Sequence, residues 1–192
     1  MRKIAIVALL SAFIATPALA DNTGNFYVAG DLGTATYSNV NDGLGNNFPN
    51  PMVLRIAGGY HFSPQLAAEV GYSIFGDSVI DYGNLGLGAG KATMALRSFQ
   101  VVAVGSLPLS PQFDLIGKLG LARNSGTLTG TGILAGVNAS TSQSDLLIGL
   151  GAQYHVTSSV SVRALYDNYG KFDSSSNPTK ATSFSLGGVY NF

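Results

Sequence analysis

Short stretches of this chain alternate apolar with small or polar residues at a period of two, and beyond residue 20 no apolar run approaches the length of a membrane-spanning helix. Such a pattern marks strands with two unlike faces. Leu54, Ile56, Gly58, Tyr60 and Phe62 interleave with Arg55, Ala57, Gly59 and His61, and Leu66, Ala68, Val70, Tyr72 and Ile74 with Ala67, Glu69, Gly71 and Ser73. The same holds from Phe113 to Leu121, from Val160 to Asp167 and from Ser183 to Phe192. Weaker alternation over Phe26 to Tyr37, Thr93 to Leu107 and Ser144 to Val156 brings the expected number of strands to eight.

Turns punctuate these strands at a fixed period. Ser63-Pro64-Gln65, Ser110-Pro111-Gln112 and Thr157-Ser158-Ser159 each follow one alternating stretch and precede another, 47 residues apart. Two strands per repeat argue for repeated hairpins rather than four-stranded propeller blades. The other connections, Ser38 to Pro51, Gly76 to Ala92, Asn124 to Gln143 and Gly170 to Thr179, are long and rich in Gly, Asn, Ser, Asp and Thr. Short and long connections therefore alternate. An up-and-down antiparallel sheet then gathers the short turns at one end and the long loops at the other, the asymmetry of transmembrane barrels with short periplasmic turns and long extracellular loops.

Composition narrows the class. Only 10% of residues are charged and Glu69 is the only glutamate, while 46% are hydrophobic. A surface so poor in charge does not suit an ordinary water-facing domain, and so much apolar matter does not suit a disordered one. The formal net charge of zero argues against a nucleic-acid partner, which would need a basic patch to displace counterions. At the N-terminus Arg2 and Lys3 precede an apolar run from Ile4 to Ile14, and Ala18-Leu19-Ala20 supplies a small-x-small cleavage pattern. Residues 1–20 are thus expected to be a cleaved export signal, leaving residues 21–192 as one barrel domain with eight basic and ten acidic residues.

Period two alone does not say which face is outside. Eight strands enclose a space just wide enough to fill with side chains, so a continuous apolar face has to look outward. The opposite face carries Asp31, Arg55, Glu69, Lys118, Arg163 and Asp167, with Gln100 and Gln153, interleaved with Gly and Ala. These six charged residues are the candidate lumen ion-pair set: too many for a dry ligand calyx, and suited to a packed polar plug. Tyr and Phe gather toward strand ends, with Tyr27, Tyr60, Phe62, Phe113, Tyr154, Tyr190 and Phe192 on the short-turn side and Tyr37, Tyr72, Phe75, Phe99, Tyr166 and Tyr169 on the long-loop side. Two aromatic girdles are the expectation.

The stretch from Gly59 to Tyr72, the run Gly151-Ala152-Gln153-Tyr154-His155-Val156-Thr157 and the ending Leu186-Gly187-Gly188-Val189-Tyr190-Asn191-Phe192 resemble the eight-stranded OmpA-type transmembrane domain. The resemblance spans the mature chain and implies an all-β, antiparallel up-and-down barrel in the cell outer membrane of a Gram-negative envelope, reached through the periplasm. It implies outer-membrane lipid as a partner and the outer-membrane assembly machinery during biogenesis, which would read a C-terminal signal in Phe184, Leu186, Tyr190 and Phe192. Because the chain ends at its last expected strand, the peptidoglycan-binding domain of longer relatives is expected to be missing. That family places a Glu, a Lys, a second Glu and an Arg inside the barrel. Glu69 and Arg163 stand at matching positions, whereas Gln153 replaces the second Glu and Val104 the Lys. Arg55 and Lys118 are the candidates to compensate.

Catalysis finds little purchase. His61 and His155 lie on the polar face near short turns, and although Thr157, Ser158 and Ser159 follow His155, no carboxylate orienter is evident nearby. Neither an enzyme, a metal site nor a cofactor is expected. The expected function is a surface-exposed structural and adhesin-like interaction protein with a plugged polar lumen, monomeric, with surface ligands on the long loops. A small non-specific diffusion pore is the alternative, a soluble ligand carrier a third reading and an outer-membrane lipid-modifying enzyme a remote one.

Overall fold

The computed structural model describes residues 25–38, 50–81, 90–132, 135–136, 138–173 and 178–192. Eight antiparallel strands follow one another round a closed barrel: β1 (Phe26–Ser38), β2 (Met52–Ser63), β3 (Leu66–Asp81), β4 (Gly90–Ser110), β5 (Phe113–Gly132), β6 (Asn138–His155), β7 (Val160–Lys171) and β8 (Lys180–Asn191). β1 closes the ring on β8 with a ladder from Tyr27 opposite Asn191 to Ser38 opposite Lys180. Closure leaves no open sheet edge in the ring, the condition a sheet has to meet in lipid, where no water satisfies free backbone groups.

The three repeated turns share one device. Ser63 Oγ accepts the Leu66 N–H at 3.1 Å, Ser110 Oγ the Gln112 N–H at 3.4 Å, and Thr157 Oγ1 the Val160 N–H at 3.0 Å. The hydroxyl residue of each repeat thereby ties down the hairpin it opens, as Ser and Thr do in turns. All three turns stand at the end that also holds Phe26 and Asn191.

Parity sorts the side chains as the pleat requires. Leu54, Ile56 and Leu119 are 48, 60 and 56% exposed on the outer wall, while Arg55, Glu69 and Lys118 are 1, 1 and 3% exposed inside. The outer wall is apolar through the middle of every strand, an inside-out arrangement stable only against hydrocarbon.

Three expectations need correction. Four of the residues assigned to aromatic girdles point inward: Tyr27, Phe75 and Tyr169 are 4, 1 and 1% exposed, and Tyr37 packs on Phe75 with ring centroids 6.3 Å apart. Position near a strand end does not fix the wall. Tyr27 and Tyr37 share the parity of Asp31, Phe75 that of Glu69, and Tyr169 that of Asp167. Tyr60, Phe62, Phe113, Tyr154, Tyr190 and Phe192 remain on the outer wall at the short-turn end, with Tyr72, Phe99 and Tyr166 toward the other. Second, much of the expected loops 76–92 and 124–143 is strand. Thr129 pairs with Thr93, and Ser125 with Ser142, beyond the apolar wall. There the outer face turns to Lys, Thr and Ser while Met94, Leu96 and Leu128 face inward, so the apolar outer stripe ends while hairpin pairing and the β preference of Thr persist. Third, a carboxylate does stand beside His155, as described below. The expected export signal and most of the first loop lie outside the described residues.

Candidate functional site in the barrel lumen

From the short-turn end to the loop end the lumen is stacked in layers, because each strand contributes one inward side chain every second residue. The first layer is mixed, with Ala67, Val104, Ile116 and Val189 beside Tyr27, Ser161 and Asn191. The second is ionic. Arg55 Nη1 lies 2.7 Å from Asp31 Oδ2, Arg55 Nη2 contacts the Glu69 carboxylate, and Arg163 donates to both oxygens of Asp31 at 2.8 and 2.7 Å and to Glu69 Oε2 at 3.0 Å. Two guanidiniums and two carboxylates form a closed quartet, each bridging two partners. Beside it Lys118 Nζ lies 3.2 Å from Asp167 Oδ2 and 3.8 Å from Glu69 Oε1. All six residues are at most 5% exposed, and their charges sum to zero. Neutrality matters because an uncompensated ion in so low a dielectric costs several kcal/mol.

The third layer is made of amides and hydroxyls. Gln100 accepts from Arg55 Nε at 3.1 Å and donates to Ser73 Oγ at 2.7 Å, which is 3.2 Å from the Tyr169 hydroxyl; Ser98 donates to Asn124, whose amide in turn donates to the carbonyls of Tyr169 and Lys171. Above it Phe75 meets Tyr169 and Phe172 edge-on, at ring centroid distances of 5.2 and 5.7 Å, and Val53, Leu96 and Met94 complete an apolar lid. Where β4, β5 and β6 overshoot β7, a cavity of about 250 Å³ opens beside Phe172, Leu128 and Thr141.

Glycines make room for the charges. Gly187 is the ladder partner of both Asp31 and Arg163, and a methyl there would fall on the Asp31 carboxylate and the Gly30 carbonyl oxygen. Gly149 faces Asp167 and Lys118 in the same way.

The two departures from the family pattern resolve geometrically. Val104 is the direct ladder partner of Lys118, so the interior lysine arrives from the neighbouring strand. Gln153 stands opposite Arg163, whose carboxylate partners come instead from Asp31 on β1 and Glu69 on β3. Asp31 and Asp167 complete the ionic set from strands that no local motif links.

Near the short turns His155 Nδ1 lies 2.9 Å from Ser161 Oγ and Nε2 3.1 Å from Asp114 Oδ2. The carboxylate that sequence reasoning missed is 41 residues away and is delivered by β5–β6 pairing. Ser161 has no exposed surface, so the trio locks the lower rim and offers no accessible nucleophile. Among the described residues no group of three His, Cys, Asp or Glu side chains is placed to hold a metal ion.

No curated protein sequence matches the chain. Among solved structures, the fold is similar to Neisserial surface protein A, at 22% identity and a TM-score of 0.63 over 87% of this chain and 97% of that one. It is similar to Ail of Yersinia pestis, solved with the heparin analogue sucrose octasulfate, at 15% identity and a TM-score of 0.60 over 88% and 99% of the two chains. OprG from Pseudomonas aeruginosa gives 16% identity and a TM-score of 0.59 over 92% and 99%. At such identities the likeness is one of fold. Residues 5–192 match the outer membrane protein β-barrel domain family, and the chain belongs to it.

Proposed function

We propose that this outer-membrane barrel is a monomeric, surface-exposed scaffold whose lumen is a cross-brace rather than a conduit, with the loop end as its interaction surface. The carrying observation is the neutral ionic layer: six charged side chains from five strands, at most 5% exposed, fill the cross-section midway along the barrel. Side chains that cross-link so narrow a lumen block passage by volume. The apolar lid of Phe75, Tyr169 and Phe172 blocks it a second time. The buried Ser161 argues further that the chain is not a lipid-modifying enzyme. On β8 and at the residue just past it, Phe184, Leu186, Tyr190 and Phe192 line the outer wall at 53, 59, 48 and 69% exposure, in reach of an assembly machinery that would read the strand from its lipid side after export of residues 21–192.

The pore reading has one observation in its favour: Lys118 and Asp167 are bound more loosely than the quartet, and Asp167 Oδ1 has no hydrogen-bond partner among the described residues. Planar-bilayer recording on the refolded barrel separates the two. Electrical silence is the expected result; steady unitary conductance would overturn the scaffold reading in favour of the pore.

A further inference from the structure

Arg55, Lys118 and Arg163 are in the lumen, and the other basic side chains on the described strands, Lys91, Arg97, Arg123, Lys171 and Lys180, all stand in the loop-end half of the barrel. Two of them share one strip of the outer wall. In the ladder, Arg123 of β5 lies between Phe99 of β4 and Ser144 of β6. One row toward the barrel middle the wall is wholly apolar: Val101, Leu121 and Leu146, at 50, 63 and 47% exposure. One row toward the loops stand Arg97, Ser125 and Ser142. The arginines thus occupy the first polar rows above the hydrocarbon-facing surface, diagonal to each other on adjacent strands, a spacing of about 7–8 Å that long side chains bridge easily.

Their partners are not among the described residues. Each lumen cation is ion-paired and Lys91 Nζ is 3.1 Å from Asp81, yet neither Arg97 nor Arg123 has an ion pair among the described residues; Arg123 donates only to Ser142 Oγ, at 3.3 Å. The nearby carboxylates are otherwise disposed. Asp145 has lumen parity and accepts the N–H groups of Leu146 and Lys171, and Asp77, in the β3 irregularity near Ala95, is not within ion-pair distance of either arginine. Two guanidiniums and three hydroxyls at this height meet whatever anion the membrane surface presents, and a guanidinium fork matches phosphate oxygens in pairs.

We propose that Arg97 and Arg123, with the hydroxyls of Ser125, Ser142 and Ser144, form a binding site on the membrane-facing wall for the phosphate of a lipid headgroup. This goes beyond the interaction role proposed for the loops, because the site holds the lipid around the barrel and its test does not depend on whether the lumen conducts.

The probe is phosphatidic acid, titrated into the barrel refolded in detergent micelles, with bound lipid counted by native mass spectrometry. Arg97→Gln/Arg123→Gln is expected to weaken retention roughly 30-fold, Arg97→Lys/Arg123→Lys to retain part of the affinity, and Lys171→Gln/Lys180→Gln to leave it unchanged. Heat-modifiable gel mobility certifies that each variant is folded, and the single arginine variants replace the double if it is not. Four results overturn the proposal: a folded glutamine variant that retains lipid like the parent, lysine variants no better than glutamine ones, oleic acid held as firmly as phosphatidic acid, or free inorganic phosphate displacing the lipid at equal concentration.

Discussion

The lumen can be tested by removing charge in a balanced and an unbalanced way. Lys118→Met preserves side-chain length and leaves Asp167, whose sole ion-pair partner among the described residues is Lys118 at 3.2 Å, buried with an uncompensated negative charge. Stripping one partner from a buried pair costs about 3–5 kcal/mol. Asp167→Asn leaves Lys118 a residual partner in Glu69 at 3.8 Å, so it should fall toward the low end of that range, about 3 kcal/mol. The double variant removes the satellite pair whole and leaves the quartet of Asp31, Arg55, Glu69 and Arg163 closed and neutral. Its expected cost is below that of either single change, about 0–2 kcal/mol, since replacing a buried pair by groups of like volume is often close to neutral. The coupling is then several kcal/mol, far outside the roughly 0.3–0.5 kcal/mol within which independent sites add. Urea unfolding of the barrel refolded in lipid vesicles, read as the folded fraction by heat-modifiable mobility, measures all three. A double variant that costs the sum of the singles would refute the neutral-layer account, because each charge would then act through packing alone.

Two further outcomes test parts of the same picture. Gly187→Ala is expected to cost about 1–3 kcal/mol by overpacking against Asp31 and the Gly30 carbonyl. Gly117→Ala, where an added methyl meets nothing within 4 Å, should leave the urea midpoint nearly unmoved; equal effects would show that glycine acts here through flexibility alone. On the outer wall Leu119→Arg should cost about 2–4 kcal/mol if mid-strand positions lie at the bilayer midplane, and Leu109→Arg, beside a short turn, about 0–1 kcal/mol. Equal costs at these two exposed sites would mean that the apolar wall is not graded by membrane depth.

Much of this was legible because a barrel is written in period two. The eight strands, the turns at Ser63, Ser110 and Thr157, and the common parity of Asp31, Arg55, Glu69, Lys118, Arg163 and Asp167 all follow from local spacing. What was not legible depends on closure and register. That Arg163 meets Asp31, 132 residues away, follows only once β8 joins β1 and brings both strands onto Gly187. That Asp114 reaches His155 needs the β5–β6 ladder. The inward turn of Tyr27, Phe75 and Tyr169 was encoded in their parity but masked by their position at strand ends, where outward aromatics are common. The overshoot of β4, β5 and β6 was masked because Thr127, Thr129, Ser140 and Ser142 extend a ladder with no apolar wall to mark it.

Parity and height do different work, and arginine shows the difference. Arg55 and Arg123 are the same residue, equally costly to bring near hydrocarbon. Arg55 has lumen parity at mid-height, so its charge is met by carboxylates fixed on β1 and β3, and its worth is the register it enforces among strands far apart in sequence. Arg123 has wall parity and, among the described residues, no ion-pair partner; its guanidinium donates to Ser142 Oγ instead. A charge in that place is tolerable only at the rim, where headgroups begin. The row at which arginine first appears on the outer wall therefore marks the edge of the hydrocarbon. The lumen charges carry no such information, because the wall insulates them from the membrane. Their removal should alter stability and leave the depth at which the barrel sits unchanged, whereas loss of Arg97 and Arg123 should let the barrel shift along the membrane normal without unfolding it.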